Sequence, residues 1–271
     1  MKFRKLCVGA WAVVVLVVAP IAHAHDFWIE PSAFDTKPGE VVKVGLRVGE
    51  QFKGEPVKRN PEKLDRFELV TDRGTQPIVG QDGEDPAGVV KIDEPGVAVI
   101  GYRSKRSSIE LEAEKFEAYL KVEGLEHILP LRAQRGESTK PGREIYSRCA
   151  KALLQVGEGA GTGFDRRLDF TLELVPLRNP KTVKPGQDEL PVVLLYQGKP
   201  LAGAMVMAMA QADPAAVSNA KTDSEGKASF KLSKGGVWMI KVIHMVRLPE
   251  GGEADWESFW ATLTFEISAG T

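Results

Sequence analysis

Val41-Val42-Lys43-Val44-Gly45-Leu46-Arg47-Val48 alternates along its length, with Lys43 and Arg47 marking one face. Period-two alternation is the mark of a half-buried strand, and Pro38-Gly39 ahead of it signals a turn. The same pattern recurs at 66–71, 88–92 and 97–102, the last entered through Glu94-Pro95-Gly96. Turn residues at short intervals between such strands predict an all-β sandwich.

The pattern changes at 111–122. Phe116, Tyr119 and Leu120 fall at i, i+3 and i+4 there, and Glu112, Glu114 and Glu117 are strong helix formers. Gly124 stops this helix. A second helix is expected at 143–156, with Ile145, Tyr146, Cys149 and Leu153 on one stripe, Pro141-Gly142 before it and Gly157 after it. Beyond Arg178-Asn179-Pro180 the β pattern returns at 191–196, 204–210, 227–232 and 237–244. Met205-Val206-Met207-Ala208-Met209-Ala210 is apolar on both faces, which fits a central, buried strand. Its three methionines read as core filling, although alternating thioethers also favour Cu(I). The expected architecture is mainly β: two antiparallel sandwiches, 25–180 and 181–271, with a two-helix insert (111–123 and 143–156) in the first.

The start of the chain has a different character. Lys2, Arg4 and Lys5 precede an apolar run of about 11 residues, too short for a bilayer span of about 20, and Ala22-His23-Ala24 offers the small residues that a signal peptidase reads. Cleavage of 1–24 predicts a periplasmic or secreted protein that does not span the membrane. The removed segment carries three bases and no acid, so the net charge moves from −1 to −4. No basic stripe stands out, which argues against a nucleic-acid partner. The mature chain keeps one cysteine, Cys149, so it has no intramolecular disulfide; this thiol reads as a buried small hydrophobe.

Cleavage after Ala24 would make His25 the N-terminal residue. Its α-amine, titrating near about 8, and its imidazole can chelate one metal together. His244 ends the strand 237–244 on the face of Trp238, Ile240 and Val242, at a strand end where loops gather. Together, His25 and His244 could supply three nitrogens, a donor set that suits Cu(II) or Ni(II). His127 lies in a connection and carries little weight. No Gly-x-Ser-x-Gly elbow or His-Glu-x-x-His helix is visible. The glycine-rich run 157–163 lacks the Lys-Ser/Thr ending of a phosphate loop, and the acidic helix reads as a solvated face. Binding, not catalysis, is the expected role, with no organic cofactor.

These motifs form a combination. His25-Asp-Phe-Trp-Ile-Glu-Pro31 resembles the start of the DUF4198 family of exported bacterial proteins. So do Lys115-Phe-Glu-Ala-Tyr-Leu-Lys-Val-Glu-Gly-Leu125, Glu144-Ile-Tyr-Ser-Arg-Cys-Ala-Lys-Ala-Leu153, and Leu172-Glu-Leu-Val-Pro-Leu-Arg-Asn-Pro180. Gly198-Lys-Pro-Leu-Ala-Gly-Ala204, Thr222-Asp-Ser-Glu-Gly226 and Asp255-Trp-Glu-Ser-Phe-Trp-Ala-Thr-Leu-Thr-Phe265 complete it, and Cys149 stands where an aromatic residue is expected. The C-terminal part also resembles prealbumin-like (Ig-like) sandwiches. Some members of the family are associated with nickel and cobalt uptake. The resemblance therefore implies a periplasmic accessory protein binding Ni or Co, or alternatively Cu, through His25 and His244, beside a membrane metal transporter. The competing expectation is a metal-independent envelope module for a glycan or protein partner, with Trp256 and Trp260 as an aromatic platform. An N-terminal-histidine copper oxidase is a third.

Overall fold

The computed structural model describes residues 25–158 and 161–268. The expected signal segment, 1–24, lies outside the described residues. The elements run β1 (Asp26–Pro31), β2 (Asp35–Thr36), β3 (Val41–Glu50), β4 (Lys53–Pro56), β5 (Leu64–Thr71), β6 (Gly74–Pro77), β7 (Gly88–Lys91), β8 (Gly96–Ser104) and β9 (Ser107–Leu111). Two helices follow, α1 (Ala113–Val122) and α2 (Ile128–Gln134). Then come β10 (Gly142–Val156), β11 (Leu172–Pro176), β12 (Glu189–Tyr196), β13 (Lys199–Pro200) and β14 (Met205–Ala210). The chain closes with β15 (Asp213–Lys221), β16 (Lys227–Lys231), β17 (Gly236–Arg247) and β18 (Trp256–Ile267).

A ten-stranded sheet, in the order β15-β14-β17-β18-β10-β8-β5-β6 with β2 and β9 also on β10, carries the fold. One four-stranded sheet (β1, β3, β4, β7) covers one of its faces, and another (β11, β12, β13, β16) covers the opposite face. The alternation within β10 shows this layering. Ala150, Ala152, Leu154 and Val156 pack with Ile29, Val44 and Leu46, while Cys149 and Leu153 pack with Leu172, Leu174 and Leu194. The fold is mainly β, built of stacked sheets, as the alternating pattern predicts. All the strands expected between 41 and 102 and between 191 and 244 form, within a few residues of their expected ends.

The second helix is a correction. Residues 143–156 are the long strand β10, buried on both faces in the middle of the central sheet. An apolar run with both faces covered has no alternation to show, so a helical stripe can be drawn through it equally well. The second helix is α2 instead, a seven-residue segment in the connection after Gly124. Pairing is antiparallel throughout except along β10, which runs parallel to β18 from Glu144↔Trp256 to Ala152↔Thr264 and, briefly, to β2. The strands before and after residue 180 therefore meet within one sheet.

The face of the central sheet that carries α1 positions the site. β1 crosses β18 there: the Thr262 and Thr264 hydroxyls donate to the Phe27 and Ile29 carbonyls at 2.9 and 2.8 Å. α1 lays Phe116, Tyr119 and Leu120 over Ile243, Met245 and Trp256. The stripe read from the sequence is thus the buried face of α1.

Candidate functional site

β1 begins at the edge of its sheet with His25 exposed just ahead of it. Phe27 and Ile29 point into the core, so Asp26 and Trp28 point the other way. Asp26 is 5% exposed, and its carboxylate accepts a hydrogen bond from Lys241 Nζ at 2.6 Å. The same ammonium donates to both oxygens of Glu123, at 3.0 and 3.2 Å. Glu123 caps the C-terminal end of α1, where the helix dipole also favours a cation. Lys241 itself sits in the middle of β17, on the same face as Met239 and opposite Met207 of β14.

Burial raises the Asp26 and Glu123 carboxyls above their ordinary range, and Lys241 pulls both back. Burial lowers the Lys241 ammonium, but the two carboxylates outweigh it and its pKa ends raised. One ammonium between two buried carboxylates stays charged, and the surplus negative charge is what burial opposes.

Above this triad opens a cavity of about 540 Å³. Ala118, Tyr119 and Val122 of α1 form one wall, and Met207, Met209 and Val217 form another. Glu50 and Gln51 lie at its edge, in the tight turn between β3 and β4. Gln51 and Phe52 both take positive φ, 51° and 58°, as a two-residue hairpin turn of the type-I′ kind requires. The turn is held by Phe52, whose ring meets that of Trp28 edge-on at 5.6 Å. The β1–β3 register ends at Asp26↔Gly49, one residue short of His25.

His244 is elsewhere. Trp238, Ile240 and Val242 face the sheet of β11 and β12, and the His244 ring lies 4.5 Å from that of Tyr196. Burial and then His127 hold its pKa down to about 4. His25 and His244 therefore lie on opposite faces of β17 and do not share a site. His127 is exposed at the start of α2, and burial lowers its pKa. Trp256 is fully buried under the helices, and Trp260 stacks on Tyr119 at 5.8 Å. Cys149 is buried, and burial lifts its thiol to about 11. Among the described residues, no group of three His, Cys, Asp or Glu side chains forms a metal cage, and no helix is long and apolar enough to cross a membrane.

The triad escapes sequence reading because its members stand at 26, 123 and 241. A signal for it exists all the same: Lys241 is a charge inside the apolar strand Gly236–Arg247, and Asp26 immediately precedes a run of buried apolar residues. Charges so placed are almost always paired.

The fold and site define a mainly β protein of stacked sheets with a ligand-sized cavity beside Asp26. The chain belongs to the family described as "Domain of unknown function (DUF4198)", whose family model matches residues 22–246. No curated protein matches it. Among solved structures, the D0-D1 domain of Intimin is similar at 14% identity, covering 89% of this chain and 97% of that one with a TM-score of 0.21. The D00-D0 domain of Intimin is similar at 11%, covering 89% and 99% with a TM-score of 0.20.

Proposed function

We propose that the protein is a periplasmic accessory protein that binds a transition metal, Ni or Co or alternatively Cu, through its processed N-terminus and passes it to a membrane metal transporter. The observation that carries this reading is the setting of His25, exposed immediately before β1 while its neighbour Asp26 is anchored in the interior on Lys241. A chain cut after Ala24 would present an α-amine and an imidazole at a fixed point of the surface. The two nitrogens close a chelate on one ion. Nitrogen donors suit Ni(II) and Cu(II). A chelate of so few protein groups leaves coordination positions open, as a carrier that must release its ion requires. His244 is not part of this set, because it lies across the sheet.

Calorimetric titration of Ni(II), Co(II) and Cu(II) into protein secreted with its native N-terminus tests the reading. One control carries an extra residue ahead of His25, and a second is His25→Ala. Both controls are expected to lose affinity by about tenfold or more, roughly 1.4 kcal/mol. The amine must shed its proton, so affinity is expected to rise with pH through about 8. Equal binding by all three proteins would remove His25 from the site.

A metal-independent envelope binding module is the second reading, and the cavity favours it. Trp256, half of the aromatic platform that a glycan would use, is buried, so this reading rests on the cavity alone.

A further inference from the structure

The charge beneath the cavity does not balance. Asp26 and Glu123 are two buried carboxylates around one buried ammonium, Lys241. The rest of the charged lining is Glu50, Glu114 and Lys115. Glu114 and Lys115 offset each other, and the floor holds two carboxylates to one ammonium, a net charge of −1. The walls above have the opposite character. Met207 and Met209 are buried, while Val122 and Val217 are 69% and 41% exposed at the rim, apolar surface left without a partner.

A volume of about 540 Å³ falls in the range of small-molecule sites, about 300 to 1,000 Å³. Apolar walls with a few convergent polar groups are the usual make-up of such sites. The charge selects among occupants. An organic anion would meet a negative field, and Lys241, the cation at the floor, is already held by two carboxylates. A sugar would lose water from its hydroxyls against methionine and valine. A bare metal ion would leave the apolar walls uncovered.

We propose that this cavity binds a small amphipathic organic cation. Its primary ammonium group sits against Asp26 and Glu123 beside Lys241, and its apolar body lies along Met207, Met209 and Val122. The ammonium supplies the second positive charge that the buried pair of carboxylates lacks. The thioethers are polarizable and conform to an irregular apolar body. This site is separate from the metal chelate at His25, and neither reading depends on the other.

Phenethylamine is the probe, titrated calorimetrically into the mature protein at neutral pH. 2-Phenylethanol and 3-phenylpropionate serve as the neutral and anionic controls. The amine is expected to bind at least about tenfold more tightly than either control. Ala118→Trp fills the cavity from an exposed helix position without touching a charge, and is expected to abolish binding. Glu123→Gln removes one carboxylate, and is expected to weaken binding about tenfold or more. Circular dichroism melts establish that each variant is folded. If Glu123→Gln does not fold, Ala118→Trp and the three-ligand comparison decide. A residue added ahead of His25 is expected to leave amine binding intact, which separates this proposal from the metal reading. No binding of the amine, equal binding of the alcohol, or undiminished binding by folded Ala118→Trp would overturn it.

Discussion

Glu144 stands on β10 in the polar layer beneath α1, 2% exposed. Its carboxyl accepts from Tyr119 Oη at 3.3 Å and also from the Ser258 hydroxyl. Burial raises it to about 7, although hydrogen bonds from Ser258, Tyr119 and Trp260 pull it back. Its unfolded reference is 4.5. As pH rises through 4.5 the unfolded chain sheds this proton while the folded chain keeps it until about 7. The stability it contributes is therefore full below 4.5, falls across that interval, and is lost above about 7, to the extent of on the order of 3 kcal/mol. His244, held down to about 4, acts in the opposite sense. Its contribution is present above its ordinary value of 6.5 and is lost as pH falls toward 4. The clean readout is thus the difference between Glu144→Gln and the natural protein. The glutamine can still accept both hydrogen bonds but does not titrate, so its advantage in melting temperature is expected to widen from about pH 4.5 to about pH 7.5. A difference that stays constant over that span would mean that Glu144 is not buried as a neutral acid.

At the scale of elements, α1 is the part that makes the site, since it forms one wall of the cavity and ends on Glu123. Gly124 sets how it ends. Its φ is +72°, and a Cβ there would come within 2.4 Å of Met205 Cβ. Gly124→Ala combines left-handed strain with a clash against a strand, a loss of about 1–3 kcal/mol. It is expected to lower the melting temperature and to weaken phenethylamine binding through displacement of Glu123; an unchanged melting temperature would show that α1 tolerates the shift. This element was legible beforehand, because Phe116, Tyr119 and Leu120 all serve one buried face. α2 was not, being seven residues with Pro130 inside it and no capping side chain. β10 was misread for a different reason: a strand covered on both sides loses the period of two, which is the only local sign of a strand. The proposal of His25 as an N-terminal chelator comes from the sequence alone, because that chemistry needs no fold. The Asp26–Glu123–Lys241 triad was not, because only the packing of β1 and α1 against β17 assembles it.

At the scale of the whole molecule, the sequence predicts a boundary near residue 180, where turn residues cluster. The central sheet runs across that point. β10 and β18 lie side by side in its middle, and the Arg143 guanidinium grips Asp255 through two hydrogen bonds, at 3.0 and 2.8 Å, at one end of the seam. Further along β10, Lys151 reaches through to Glu173 of β11 at 2.8 Å, with both groups nearly inaccessible to solvent. Separating the halves would bare a long edge on each of two interior strands, β10 and β18, and break the Arg143–Asp255 pair. Neither half can then be much more stable than the whole, and the two are expected to unfold together. Trp28 reports on the first half and Trp238 on the second, so tryptophan fluorescence and far-ultraviolet circular dichroism should trace one coincident transition in denaturant. Lys151→Met, which among the described residues removes the only cation that pairs with buried Glu173 and leaves it the Leu168 N–H alone, should move that single midpoint downward by about 3–5 kcal/mol of stability and leave it single. Two resolved transitions, with only one displaced by Lys151→Met, would mean that 25–180 and 181–271 fold as separate domains despite the shared sheet.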